Sequence, residues 1–343
     1  MNAILENTKT ELPHGFTARG AEMKDVEPAL ELFKAWSQSV IQKNDINDAD
    51  AIRREWVSPN FDPARDIRVV FSPEGKLVGY IEVWTTQKPP VHPWMWGRVH
   101  PDFSDLGIGS WLLQWAEERA RQVLPDLPTD LRFAPRIGTY RPAEGSRKLF
   151  EDFGYKLIRS TYQMRIDMQA PPPAPLWAEG ITLKTFTPEI GIEAVYRADD
   201  EAFCDHFGYI QAPFEEGLAR FKHFMMGEDF DPSLWFLAMD GDEVAGICLG
   251  RAKAYDDPEA GYINILGVRR AWRKRGLGLA LLHHSFGEFR RRGVHSVSLH
   301  VDAQSLTGAL RLYEKAGMHA QTTSDMYEKT IRSGREISVE SLT

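Results

Sequence analysis

Val268-Arg-Arg-Ala-Trp-Arg-Lys-Arg-Gly-Leu-Gly278, followed by the amphipathic run Leu279–Arg292, is the stretch on which the reading turns. An apolar, strand-like segment, Tyr262–Val268, runs into a basic loop whose two glycines open a helix. Backbone N–H groups at a helix start have no intrahelical partner. Gly276 and Gly278 leave them uncrowded by Cβ atoms, so the turn makes an anion site. Arg273, Lys274 and Arg275 add positive charge around it, and the loop fits a pyrophosphate. Two common phosphate loops do not match. The dinucleotide fingerprint needs its glycine turn directly after the strand and a third glycine three residues on. Here seven residues separate Val268 from Gly276, and position 281 is Leu. The Gly-Lys-Ser/Thr of the P-loop is also missing.

A second stretch, Val301-Asp-Ala-Gln-Ser-Leu-Thr-Gly-Ala-Leu-Arg-Leu-Tyr-Glu-Lys-Ala-Gly-Met318, follows another strand-like segment, His295–Val301. The first stretch fits Arg/Gln-x-x-Gly-x-Gly/Ala and resembles motif A of the GCN5-related N-acetyltransferases, the acetyl-CoA-dependent GNAT superfamily. The second resembles motif B, Asn-x-x-(x)-Ala-x-x-Leu-Tyr-x-x-x-Gly-Phe. Ala309, Leu310, Leu312, Tyr313 and Gly317 match, while Ser305 stands where Asn is common and Met318 where Phe is common.

The same layout occurs twice. Lys76–Trp84 parallels Glu243–Gly250 as the second arm of a hairpin, after Val69–Phe71 and Trp235–Ala238. The turns Ser72-Pro-Glu-Gly75 and Asp240-Gly-Asp242 carry suitable residues. Val99–Gly109 parallels the basic loop, and Leu149–Tyr155 parallels Leu312–Met318. Gly109 and Gly278 lie 169 residues apart, and Gly154 and Gly317 lie 163 apart. A nearly constant offset across ordered motifs marks a duplicated domain. The proline-rich Gln169–Pro175 reads as a spacer. The expected fold is α+β: two tandem GNAT domains at 14–168 and 178–333, joined by a 169–177 linker, each a mixed central sheet flanked by helices. Leu279, Leu282, Phe286 and Phe289 recur at helical spacing and read as core.

Hydrophobic residues at 43% and charged residues at 26% describe a globular chain. A net charge of −8 argues against general nucleic-acid binding. No apolar run approaches the roughly 20 residues of a membrane span. Met1–Asn7 lacks the basic and apolar regions of a signal peptide. Cys204 and Cys248 are the two cysteines, which suits a cytoplasmic chain with reduced thiols. No Cys/His cluster has metal spacing, and the adjacent His283 and His284 project about 100° apart on a helix, so no metal is expected. The quaternary state is left as monomer or homodimer.

Resemblance to the superfamily implies the site. The pyrophosphate of acetyl-CoA belongs on Arg273, Lys274, Arg275, Gly276, Leu277 and Gly278, and pantetheine between splayed strands Tyr262–Val268 and His295–Val301. Backbone at Leu266, Gly267 or Val268 would hold the thioester oxygen. Tyr313 maps to the tyrosine that protonates the leaving thiolate. Ser305 is expected near the cofactor or capping the helix through its hydroxyl. For the acceptor, Asp199–Tyr209 interleaves acidic and aromatic residues suited to a cationic amine. Asp205, His206 and Tyr262 are candidates there, as is Glu82, with the base left open.

The halves differ. Phe150 stands at the tyrosine position, and Ser104-Asp105-Leu106 replaces Arg273-Lys274-Arg275. Val99, Gly107, Ile108 and Gly109 could still form a second CoA cradle, but the N-terminal half is expected to be catalytically degenerate. The resulting expectation is an acetyl-CoA-dependent N-acetyltransferase acting on a small-molecule amine. The alternatives are a non-catalytic acyl-CoA-binding module, or a peptide or protein N-acetyltransferase with an open groove.

Overall fold

The structure is a computed structural model and describes residues 11–227, 229–305 and 308–340. The signal-peptide reading of residues 1–7, and Leu306 and Thr307 of the second motif, lie outside the described residues. Contacts divide the chain into two compact units. One comprises Met1–Ile158 with Asp325–Glu336; the other comprises Arg159–Ser324 with Ile337–Thr343. These contact units do not follow the linear halves. Arg159–Asp167, upstream of the proline-rich spacer, belongs with the second unit because it pairs with a strand there.

The first unit runs β1 (Thr17–Gly20), α1 (Val26–Ile41), α2 (Ala49–Trp56), α3 (Pro63–Asp66), β2 (Ile67–Phe71), β3 (Leu77–Trp84), β4 (Trp94–Val99), α4 (Ile108–Arg121), β5 (Arg136–Tyr140) and α5 (Glu144–Asp152). β1 to β4 pair antiparallel in order, and β4 meets β5 in parallel. The β2–β3 hairpin turns at Ser72–Gly75, where Gly75 takes φ 81° and donates to the Ser72 carbonyl at 2.9 Å. Phe33, Trp56 and Tyr80 fill its core with Val26, Ile67 and Val69.

β6 (Lys156–Asp167) leads into the second unit. There follow β7 (Ile181–Thr185), α6 (Ile192–Phe203), α7 (Phe214–Met225), β8 (Trp235–Asp240), β9 (Glu243–Arg251), β10 (Gly261–Val268), α8 (Leu277–Arg291), β11 (Ser296–Asp302), α9 (Ala309–Lys315) and β12 (His319–Glu328), whose residues from Asp325 on belong to the first unit. The strand order is β6-β11-β10-β9-β8-β7. β7 to β10 pair antiparallel, β10 meets β11 in parallel, and β11 pairs antiparallel with β6.

Two clusters cover the two faces of this sheet. Phe236, Cys248, Ile263, Val297 and Leu299 pack with Leu281, Leu282, Phe286 and Phe289 of α8. Leu237, Ile247 and Leu249 pack with Val195, Ala198 and Leu218 of α6 and α7. Period-2 alternation along each strand produces this division. Three of the four α8 residues read as core are fully buried; Leu279 is half-buried and faces the cleft described below. Among the described residues, no helix is long and apolar enough to cross a membrane, and no group of three or more potential metal-binding side chains occurs.

Candidate active site

β10 and β11 pair only at Gly261↔Val297 and Tyr262↔Ser298. Beyond that point β10 stays on β9 as far as Val268↔Gly246, while β11 stays on β6 as far as Asp302↔Thr161. The two strands therefore splay, and a register shift between Ile263 and Ile265 bends β10 at Asn264 where they diverge. Backbone groups on the facing edges are left for a ligand to satisfy. A cleft of about 690 Å³ fills the opening. It is lined by Leu266, Gly267 and Val268 of β10, His300 and Asp302 of β11, and Tyr313 of α9. It continues to Lys274, Gly276, Leu277 and Gly278 at the start of α8.

The wide end is an anion cradle. After a single 3₁₀ turn at Arg270–Trp272, Lys274 takes φ 62° and Gly276 takes φ 84°, and Gly276 caps α8 without a side-chain hydrogen bond. The left-handed turn starts a 15-residue helix whose first residues, with N–H groups lacking intrahelical partners, line the cleft. A Cβ at Gly278 would come within 3.0 Å of Leu312 Cδ2, so glycine lets α8 and α9 approach closely. At Gly267 a Cβ would meet Ala202 Cβ at 2.9 Å, so this glycine seats the end of α6 against β10.

Charge in the loop is distributed differently from the sequence expectation. Arg273 lines the cleft, but its guanidinium is engaged by the protein. Its guanidinium pairs with buried Asp205, donates to the Ala202 carbonyl at 2.8 Å and reaches the Val268 carbonyl at 3.1 Å. Arg275 is outside the cleft lining and donates to the Glu179 carbonyl at 3.1 Å. Arg269 pairs with Glu201 and Glu243, and Arg270 with Asp205. Among the described residues, Lys274 is the loop cation that lines the cleft with no ion pair. Four of the five cations thus tie the loop to α6 and the neighbouring turns.

The acceptor candidates separate in the same way. Asp205 is buried, does not line the cleft, and is held by Arg273 and Arg270; burial opposes its charge, but these cations keep its carboxyl below the usual range. His206 lines the cleft, its ring edge-on to Phe203 at 4.5 Å, and burial lowers its pKa, favouring neutral imidazole. Tyr262 is outside the lining, but its hydroxyl lies 2.7 Å from Nδ1 of His300, which lines it. Glu82 is in the first unit, buried and bonded by Tyr80 and Trp84, and does not reach this cleft. Ser305 lines the cleft without capping α9, because the cap residue is Gly308, at φ 76°.

Tyr313 is 7% exposed. Burial, then Cys248 and Tyr262 nearby, raise its pKa above that of an ordinary phenol, so it stays protonated. Cys248 is fully buried and its thiol is pushed up to about 12. Within Asp199–Tyr209 the sequence singles out Asp205 and His206, but the carboxyl with the most perturbed environment there is that of Asp199. Sitting one helical turn before Ala202 and Phe203, which line the cleft, its carboxyl is raised to about 7 by burial and then Asp200. Sequence reading missed His300, although alternation with buried Val297, Leu299 and Val301 places that side chain on the opposite face of the sheet.

The first unit repeats the backbone of the cradle with different side chains. Asp105 takes φ 60° and Gly107 φ 82°, matching Lys274 and Gly276 at the 169-residue offset. Gly107 caps α4, Ile108 is its buried first residue, and a Cβ at Gly109 would meet Leu149 at 3.2 Å. β4, ending at Val99, pairs with β5 only at Trp94↔Arg136 and Met95↔Ile137. The closing turns also correspond. Tyr155 N–H donates to the Phe150 carbonyl at 2.9 Å, as Met318 N–H does to Tyr313 at 3.0 Å. Phe150 is buried against Tyr327. Arg98, at the position of Gly267, is buried with its guanidinium 3.7 Å from the Trp36 ring centre and 4.1 Å from that of Trp96.

Comparison with known proteins agrees with this geometry. The pattern of the acetyltransferase (GNAT) family matches residues 30–155 and again 193–318. The mycothiol acetyltransferase of Thermobispora bispora is 31% identical over 242 residues, covering 67% of this chain and 74% of that protein. A crystal structure of a GCN5-related N-acetyltransferase from Sphaerobacter thermophilus is 35% identical with a TM-score of 0.80, over 95% of this chain and 99% of that one. A tandem GNAT protein from the clavulanic acid biosynthesis pathway shares the fold at 16% identity, with a TM-score of 0.66 over 94% of this chain and 100% of that one. The tandem layout resembles mycothiol synthase in architecture. With two matched repeats and these relatives, the chain belongs to the GNAT acetyltransferase family as a tandem protein and is an acetyl-CoA-dependent N-acetyltransferase.

Proposed function

We propose that the chain acetylates the amine of a small molecule by direct transfer from acetyl-CoA, with the chemistry in the C-terminal half. The observation that carries this is the convergence of three features on one cleft: open strand edges, an uncapped helix start beside a lysine with no ion pair among the described residues, and a protonated tyrosine. The equivalent positions in the N-terminal half are Phe150 and Asp105, and a buried arginine stands where Gly267 does. That half is read as non-catalytic. Its Val99, Gly107, Ile108 and Gly109 keep a backbone cradle whose neighbouring carboxylate repels phosphate. The linear halves 14–168 and 178–333, joined at 169–177, are read as the products of a duplication.

In this reading the N–H groups of Leu277 and Gly278, with Gly276 and Lys274, hold the pyrophosphate. Backbone of Leu266, Gly267 and Val268 orients the pantetheine and polarises the thioester oxygen. Ser305 borders the cofactor. Arg273 and Asp205 position the loop. Tyr313 donates its proton to the departing thiolate. Both groups are dry, so burial raises the thiol's proton affinity along with the phenol's. A small acceptor suits a cleft of about 690 Å³. The relatives are named for mycothiol, so mycothiol-related amines join polyamines, aminoglycosides and amino acids as test acceptors. The test is thiol release from acetyl-CoA across that panel, with the acetylated product identified by mass. Tight acetyl-CoA binding with no transfer to any amine would refute it.

A further inference from the structure

An acceptor amine is an ammonium ion near neutral pH and must lose a proton before it can attack. Asp205 is committed to Arg273 and Arg270. At the fork of the splayed strands stands a pair that has no role so far. Tyr262 is the last residue of β10 paired with β11, and His300 lies two residues beyond its partner Ser298. The Tyr262 hydroxyl and His300 Nδ1 are 2.7 Å apart.

Their placement relative to Tyr313 matters more than the contact. Val297, Leu299 and Val301 belong to the core beneath α8, and Tyr313 belongs to the same core. Strand alternation sends His300 to the other face, the one that carries α6. Tyr313 is nevertheless close enough to Tyr262 for the two phenols to interact electrostatically. The opening between β10 and β11 therefore has a phenol on one face and an imidazole on the other, and both line one cleft.

We propose that His300 is the general base of acetyl transfer and that Tyr262 orients it. This rests on the N-acetyltransferase reading above. With Nδ1–H donating to the Tyr262 oxygen, the basic nitrogen of the ring is Nε2. Nε2 takes a proton from the ammonium on the α6 face. The freed lone pair forms a C–N bond to the thioester carbonyl carbon. The C–S bond breaks, and its electron pair leaves on sulfur toward the opposite face, where Tyr313 protonates it. The second amine proton returns to the Tyr313 oxygen, and His300 releases its proton to water. One ammonium and one acetyl-CoA give one amide, one CoA thiol and one solvent proton.

Several groups face His300 and shape its titration. They are Tyr262 on β10, Asp302 on β11, Gln163 opposite on β6 with Asp256 behind it, and His206 from the loop after α6. Arg251 stands opposite Tyr262 on β9, its guanidinium 5.9 Å from the Tyr262 ring centre. His206 is the competing base, since it lines the same cleft.

The test compares pH profiles of kcat/KM for the full-length protein with His300→Gln, His206→Gln and Tyr262→Phe, using the best amine of the panel. His300→Gln is expected to lower kcat by about 10²–10⁴ and to lose the unit-slope acid limb, with acetyl-CoA affinity by calorimetry unchanged. Tyr262→Phe keeps the limb with its midpoint moved, because the imidazole remains. Added imidazole partly restores His300→Ala, a rescue that a folding defect would not show. A limb that persists in His300→Gln, or that disappears in His206→Gln instead, overturns the assignment and leaves N-acetyl transfer standing. Absence of turnover with every amine in the wild-type protein overturns both.

Discussion

Gly278→Glu tests the cradle, and the structure sets the size of the effect. Gly278 is the second residue of α8, so its N–H has no partner within the helix. A glutamate there brings a negative charge to about 5 Å from a bound phosphate, and at an effective dielectric of about 20 that repulsion is about 3 kcal/mol per unit charge. Binding should weaken at least roughly two-hundredfold. The substitution also adds bulk, since the new Cβ lies 3.0 Å from Leu312 Cδ2. Leu312 precedes Tyr313, so the bulk alone could disturb catalysis. Gly278→Ala isolates that component. The obstacle is the end of a flexible side chain, and the strain should stay within about 1 kcal/mol. Gly109→Glu is the second control, because its loop already carries Asp105. Acetyl-CoA titration by calorimetry, with a melting curve for each variant, separates the outcomes. Tight binding should vanish in Gly278→Glu, survive in Gly278→Ala and be unchanged in Gly109→Glu. Equal losses in the alanine and glutamate variants would show that α8–α9 packing accounts for the effect and that phosphate does not bind there.

Tyr313→Phe should lower kcat by about 10²–10⁴ with acetyl-CoA affinity retained; a change within threefold would assign the proton to another donor. Asp205→Asn leaves the guanidinium of Arg273 partly buried without its counter-charge; since that side chain keeps 24% exposure, the loss in urea unfolding should be about 1–3 kcal/mol. Because the Asp205 carboxyl is depressed, its contribution is present above the ordinary carboxylate range and is lost as pH falls through the folded value, so the variant and wild type should converge in acid. Asp199 has the opposite sign. Its carboxyl is raised to about 7, so the folded state holds a proton that the unfolded state has released, and stability falls as pH rises from about 4 to 7. Asp199→Asn should flatten that slope and stabilise the protein at pH 8 by up to about 4 kcal/mol; a slope that persists would locate the titration elsewhere.

Much of this protein was legible in its residues. Gly276 after a basic loop, Tyr313 four residues before Gly317, and the same spacing around Gly107 and Gly154 depend on neighbours a few positions apart. Turn geometry, helix starts and alternation act over such distances, so they survive in a single sequence. The loop turn, the hairpin at Gly75 and the equivalence of Phe150 with Tyr313 follow from that local chemistry. Charge assignment did not. Arg273, Lys274 and Arg275 are adjacent and chemically alike, yet Asp205 and Ala202, about seventy residues earlier, engage the guanidinium of Arg273 at the cleft wall, while Lys274 lines the cleft with no ion pair among the described residues. Capping of α9 falls to Gly308 instead of Ser305, because Gly308, in the left-handed region, directly precedes the first helical residue, Ala309. Tyr262 and His300 stand 38 residues apart and meet because the parallel register sets Tyr262 beside Ser298, two residues before His300 and on the same face. Likewise Arg159–Asp167 joins the second unit through its register with β11. Local sequence determines which turns and helices can form. Which cation is left for a ligand, and which imidazole meets which phenol, depends on long-range packing and strand register, which no short window of sequence records.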